Sequence, residues 1–330
     1  MHALPEIDYD SHPAYAPFRL DAGAQRDEAL ARLEPVLESK RRWLTRGADV
    51  FASRVRAAKG DATCDALARE GAVAVRLTED VLSGLRLATA FLLSDLQTLH
   101  RSRQAKGKPL KFRDTQADIR VNGQWTDAGA SLAGPLDTLL RANGVFDLAE
   151  SYYPGSTAQL HSACVRRNVE DQPFFTRGGG STPRSMGLHI DSAASASLNG
   201  VIYLNEVGPE QGPFRYVKGS NHWDWDLHDR AIRKAVDESG FPAHGDSTFL
   251  ALPPELRRRA NFGVDLMDDA SDSKALQARE AMFCSEMGEM VLFDSDGVHR
   301  GGDVRSGSRS AILFVLAMDA PRRTASAGRA

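Results

Sequence analysis

Cysteine is scarce in this 330-residue chain: Cys64, Cys164 and Cys284 lie far apart, are odd in number and form no C-x-x-C pair. That excludes a disulfide framework and points to a reduced, cytoplasmic setting. No charge of one sign dominates either. Lys and Arg number 41 against 44 Asp and Glu, a net charge of −3, so the basic footprint of a nucleic-acid or anionic-membrane binder is missing. No apolar run approaches the roughly 18 residues of a membrane span. The opening MHALPEIDYDSHPAY has neither a basic n-region nor an apolar h-region, so no signal peptide is expected. There is no internal repeat. What remains is 42% hydrophobic and 26% charged, enough apolar material for one sizeable core or two ordinary ones.

The chain changes character near its middle. Residues 1–25 are polar and proline-containing and read as an irregular arm. From Asp27 to Lys59 the apolar residues Leu30, Leu33, Leu37, Leu44, Phe51 and Val55 recur at helical spacing. A short strand is expected over Ala72–Leu77. Thr78-Glu79-Asp80 then forms a plausible N-cap for a helix to about His100. One or two helices follow over Leu132–Glu150, interrupted at Asn143-Gly144. After Pro154-Gly155, strand-like segments dominate: Ala158–Val169, Gly187–Asp191, Ser197–Leu204, Phe214–Val217, Glu289–Phe293 and Ser310–Ala317. Residues 223–283 interrupt them with a polar, partly helical insertion. Helices followed by many short strands predict an α+β chain whose second half is a sandwich or barrel.

Two stretches carry chemistry. In MGLHIDS, His189 and Asp191 stand two positions apart on a β-like run, a spacing that points both side chains to one face. In GEMVLFDSDGVHRGGDVRSGSR, a strand leads to His299, and a glycine-rich turn leads to Arg309 on the next strand. This places His299 and Arg309 on neighbouring antiparallel strands that reach one pocket. Two histidines and one carboxylate make the facial triad of non-haem Fe(II) oxygenases, which leaves metal positions open. An arginine ten residues past the second histidine suits a distal carboxylate, because its planar fork binds bidentately.

These motifs resemble the phytanoyl-CoA dioxygenase-like branch of the Fe(II)/2-oxoglutarate-dependent oxygenases. The likeness begins near residue 65 with LAREGAVAVRLTEDVLSGLR and continues through LRANGVFDLAESYYPGSTAQLHS. It then takes in GLHIDS, EQGPFRYVKGSNHW and the stretch from Gly288 to Arg309. The resemblance implies a double-stranded β-helix (jelly-roll, cupin-like) core with N-terminal helices packed on it. It implies iron held by His189, Asp191 and His299, 2-oxoglutarate anchored through Arg309, and O2 as co-substrate. One domain is expected over 1–330, with a mainly helical part at 26–153 and the core at 154–320. The 108-residue gap between Asp191 and His299 is long for such a core, because of the insertion. The second 2-oxoglutarate contact stays open between His161, Arg166 and a neighbour.

Other polar residues read as structural. His222 in G-S-N-H-W shapes a turn. His161, His228 and His244 have no partner at a meaningful spacing. Arg177–Thr182 lacks the G-K-[ST] ending of a phosphate loop, and Arg300 and Arg305 sit on a solvent-facing hairpin. Trp223, Trp225 and Phe241 stay open between substrate wall and packing. The expected activity is a dioxygenase that hydroxylates an aliphatic C–H of a small molecule with release of succinate and CO2. Desaturation, epimerisation and cyclisation use the same ligands. A non-redox isomerase or hydrolase is the alternative, disfavoured because it has no need of Arg309. Neither substrate identity nor oligomeric state is legible.

Overall fold

Strands from both halves of the chain assemble an antiparallel sheet of seven strands. The structure is a computed structural model that describes residues 62–153, 156–170, 188, 197–222, 277–286, 288–295 and 297–319. In chain order the strands of this sheet are β1 (Ala72–Arg76), β2 (Gln116–Val121), β3 (Gln124–Trp125), β4 (Thr157–Val169), β5 (Ser197–Tyr203), β8 (Glu289–Asp294) and β10 (Ser308–Asp319), and they lie side by side in the order β1-β8-β5-β10-β4-β2-β3. A second sheet of three strands is built from β6 (Phe214–Val217), β7 (Glu280–Phe283) and β9 (His299–Arg300), with β6 in the middle. Two facing antiparallel sheets are the jelly-roll layout.

The two faces of the large sheet do different work. Leu160, Val165, Leu198, Ile202, Leu292 and Leu316 turn outward and join the apolar sides of the helices in one core. Those helices are α1 (Ala62–Glu70), α2 (Glu79–Ala105), α3 (Ala133–Ala142) and α4 (Val145–Tyr152). Helix α2 buries Leu82, Leu85, Thr89, Leu92, Leu96 and His100, the three- and four-residue spacing of one helical stripe. The opposite sheet face, with Val201, Tyr203, Val291, Phe293 and Ala311, looks across at Phe214 and Tyr216 of the small sheet. Gly200 lies mid-strand in β5 because a Cβ there would run into the ring of Phe314. Among the described residues no helix is long and apolar enough to cross a membrane.

Several sequence expectations meet the structure closely. Asn143 and Gly144 separate α3 from α4, Gly144 with φ of +62°, and β6 spans the expected Phe214–Val217. Others are corrected. Thr78 occupies the N-cap of α2 in extended geometry, yet its side chain makes no capping hydrogen bond. Strand β2 lay unread in the helical half, and it pairs with β4, Gln116 against Arg166. Residues 280–283, assigned to the insertion, form β7 and pair with β6. His299 and Arg309 do not share neighbouring strands: β9 pairs with β6, while β10 lies between β5 and β4 in the large sheet. The glycine-rich turn crosses from one sheet to the other, so the two residues belong to opposing layers. The arm at 1–25, the Asp27–Lys59 helix, the loop at 177–182 and residues 223–276 lie outside the described residues.

Candidate active site

His299 is buried at the start of β9, and a web of hydrogen bonds fixes the turn that delivers it. The Asp294 carbonyl accepts from Gly297 N–H (3.1 Å) and from the Tyr216 hydroxyl (3.0 Å). Val298 N–H donates to Ser220 Oγ at 2.7 Å. The fully buried Asp294 carboxylate accepts from the hydroxyls of Tyr152 (2.7 Å) and Tyr153 (3.4 Å), which tie α4 to the same turn. Gly297 is required where it stands, because a Cβ would collide with the Tyr216 hydroxyl. The G-S-N-H segment is therefore structural through Ser220 and Asn221, whose Nδ2 donates to Ala68 O (3.2 Å) and Tyr152 Oη (3.1 Å).

The ring of His299 lies among Phe293 (centroids 4.8 Å), Phe214 (5.7 Å) and Tyr216, which stacks at 8°. Its Nδ1 is 2.9 Å from Gly297 O. A carbonyl only accepts, so Nδ1 carries the proton, and in the neutral ring the lone pair then sits on Nε2. That is the tautomer a metal ligand needs, oriented by a backbone carbonyl. His189 and Asp191 lie outside the described residues, although Leu188 between Gly187 and His189 is buried. Among the described residues no three His, Cys, Asp or Glu side chains cluster as a metal site.

Arg309 projects from β10 into the space between the sheets. Its Nη1 donates to Gly302 O (3.1 Å) and its Nη2 to Asn168 Oδ1 (3.2 Å). Two of five N–H groups are so used, and no carboxylate pairs with it among the described residues. Burial pushes the guanidinium down to about 10, Tyr203 and Asp303 opposing that drop and Arg166 adding to it. It is still a cation at neutral pH. The cleft around it is partly open to solvent. Arg166, Asn168, Tyr203 and Arg309 supply its polar groups, and Phe214, Phe293 and Leu313 its apolar walls. Phe214 and Phe293 also touch His299, so one cleft is bounded by the histidine's neighbours at one side and the arginine at the other.

The remaining candidates separate cleanly. His161 is exposed on β4, whereas Arg166, on the same strand, lines the cleft and donates to Gln116 Oε1 at 2.7 Å. Arg300 faces away from His299 and forms a two-pronged pair with Glu280, both contacts 2.7 Å. Arg305 is exposed. The side chain of His222, and His228, His244, Trp223, Trp225 and Phe241, lie outside what is described. Asn168 and Tyr203 were missed from sequence. The available signal was a buried-type strand, VRRNV or SLNGVIY, with a polar group two positions from another cleft residue.

Residues 153–311 match the family described as phytanoyl-CoA dioxygenase (PhyH). That match supports a 2-oxoglutarate-dependent non-haem iron oxygenase, with Fe(II), 2-oxoglutarate and O2 as its reagents. The PhyH match runs from the end of α4 to β10 and so encloses both motif stretches. No curated protein matches the sequence. Solved structures similar to it include EctD from S. alaskensis with 2-oxoglutarate and 5-hydroxyectoine, at 14% identity and a TM-score of 0.47, covering 78% of this chain and 76% of that one. AviO1 from Streptomyces viridochromogenes Tue57 has 15% identity and a TM-score of 0.42, covering 78% and 93%. The non-heme alpha ketoglutarate dependent carbocyclase SnoK from nogalamycin biosynthesis has 14% identity and a TM-score of 0.42, covering 80% and 86%.

Proposed function

We propose that the enzyme hydroxylates an aliphatic C–H of a small-molecule substrate, with Arg309 clamping the far carboxylate of 2-oxoglutarate and His189, Asp191 and His299 holding the iron. The observation that carries this reading is the buried Arg309 guanidinium, facing a solvent-open cleft with no carboxylate partner among the described residues. A desolvated cation keeps its charge at a cost, and a dicarboxylate entering the cleft offsets that cost with a charge-assisted fork. When bound, iron supplies the oxidising chemistry: 2-oxoglutarate, O2 and R–H give succinate, CO2 and R–OH.

The chain's own residues do the rest. Gly297 O keeps the Nδ1 proton in place, so the neutral His299 ring offers its lone pair at Nε2. Asn168 and Gly302 hold the plane of Arg309. Phe214 and Phe293 shield the space between histidine and arginine from water, which strengthens the ionic contact. Arg166 adds a second positive group at the polar end of the cleft. The helices bury the outer sheet face in the same core, and this supports reading the chain as one catalytic unit. The test is succinate formation from 2-oxoglutarate under air with Fe(II). Turnover that requires both reagents and is lost in His299→Ala bears the reading out, and 2-oxoglutarate-independent activity refutes it.

A further inference from the structure

We propose that Glu280 is a positioning residue for the metal: through Arg300 it holds the short strand that presents His299. The inference rests on His299 being an iron ligand, as argued above. Strand β9 is only two residues long, and among the described residues β6 is the one strand beside it. The register sets Tyr216 against His299 and Arg215 against Arg300, and Val217 N–H donates to Val298 O at 2.9 Å. Neighbouring side chains on a strand point to opposite faces. His299 therefore enters the space between the sheets, among Phe214 and Phe293, while Arg300 leaves on the outer face.

On that outer face the register puts two arginines directly opposite one another, a like-charge cross-strand pair that by itself drives strands apart. Glu280, on β7 at the far side of β6, resolves it. Its carboxylate accepts both prongs of Arg300, Nε and Nη2 at 2.7 Å each, and stands 3.7 Å from Nη1 of Arg215. Glu280 lies opposite Val217, so the bridge spans the small sheet from one edge to the other. The Glu280 and Arg300 side chains are 5% and 12% exposed, which sets this pair apart from solvent-screened surface ion pairs. Removing the carboxylate leaves two largely shielded guanidiniums facing each other, their charge uncompensated. With two paired residues against four in β7, β9 is the strand that yields, and His299 moves with it. Groups that orient a ligand from behind set metal affinity in this way.

The experiment titrates the full chain calorimetrically with Fe(II) in the absence of O2, and then the iron-loaded protein with 2-oxoglutarate. Glu280→Gln should weaken Fe(II) binding about tenfold, the lower end of what the partners of a metal ligand cost. The affinity of the iron-loaded variant for 2-oxoglutarate should change less than about twofold, because Arg309 belongs to the other sheet. The exchanged pair Glu280→Arg/Arg300→Glu restores opposite charges across β6 and places the new carboxylate opposite Arg215. It should bring Fe(II) affinity back to within about threefold of wild type. Native Fe(II) affinity in Glu280→Gln, equal losses for Fe(II) and 2-oxoglutarate, or no recovery in the exchanged pair each overturns the proposal. His299→Ala tests the underlying ligand separately: wild-type Fe(II) affinity there means that His299 is not a ligand, whatever Glu280 does. Should Glu280→Gln fail to fold, Glu280→Asp decides, its carboxylate being one methylene short of the fork. A loss of about threefold or more in Fe(II) affinity then supports the proposal, and a smaller one overturns it.

Discussion

Arg309→Met removes the clamp while keeping much of its volume, and the structure fixes what that does in both states of the enzyme. Without ligand, the native guanidinium is held at about 10 against a reference of 12.5. At about 1.36 kcal/mol per pK unit, that is an order-of-magnitude 3 kcal/mol disfavouring the buried charge. The folded state binds this proton more weakly than the unfolded chain does, so the penalty is fully present at neutral pH and fades only above about 10. Methionine abolishes it but removes the guanidinium hydrogen bonds to Gly302 O and Asn168 Oδ1, each hydrogen bond from a charged group being worth about 1.5–3 kcal/mol. The two effects oppose and are similar in size. The melting temperature of ligand-free Arg309→Met should therefore stay near that of wild type.

Binding should behave differently. Truncating one member of a desolvated charge pair costs roughly 2–5 kcal/mol, on the order of thirty- to several-thousand-fold in affinity. The assay is anaerobic titration of the Fe(II) enzyme with 2-oxoglutarate, read by the metal-to-ligand charge-transfer band, beside thermal melts with and without co-substrate. Arg309→Lys, which keeps the charge and loses the fork, should fall between wild type and Arg309→Met. An unchanged midpoint in Arg309→Met would refute the clamp, and Arg166 would be the cleft cation to test next.

Replacing His189, Asp191 or His299 with Ala should abolish turnover, whereas Asp191→Gly should open a coordination position and retain weak iron binding; full activity in His299→Ala would show that the metal lies elsewhere. Gly297→Ala should lower iron affinity at least tenfold and cost about 1–3 kcal/mol of stability by forcing the Tyr216 hydroxyl off the turn, and native values of both would contradict the packing described. His100 donates from Nε2 to Asp114 O (3.0 Å), its Nδ1 has no partner among the described residues, and burial lowers its affinity for a proton. The folded state thus binds that proton less well than the unfolded chain, so stability is complete above the ordinary value of 6.5 and is lost as pH falls below it. Melts from pH 7.5 to 5.5 should be flatter for His100→Gln, and identical slopes would remove His100 from the account.

Local pattern alone carried much of this molecule. A short strand-like run marked β6 and a continuous apolar run marked β10, glycine marked the break between α3 and α4, and the spacing of GLHIDS and of His299 from Arg309 pointed to the chemistry. Those signals are short-range because strand alternation, helix breaks and motif spacing are properties of a few adjacent residues. Strand β2 escaped because its residues, QADIRV, alternate weakly and gain their β structure from pairing with β4. The same holds for β7, which is a strand because β6 lies beside it.

The cleft belongs to the tertiary structure alone. Sequence placed His299 and Arg309 side by side, and the fold put them in opposing sheets, joined by a turn that crosses the gap. Tyr203, 106 residues before Arg309, met it only once β5 and β10 had paired. Tyr152 and Tyr153 reached Asp294 across 142 and 141 residues. Sequence determines which groups a chain can offer and which way neighbouring ones point. Which of them share a dry space depends on strand register and sheet closure, and those are settled by the burial of the whole core at once.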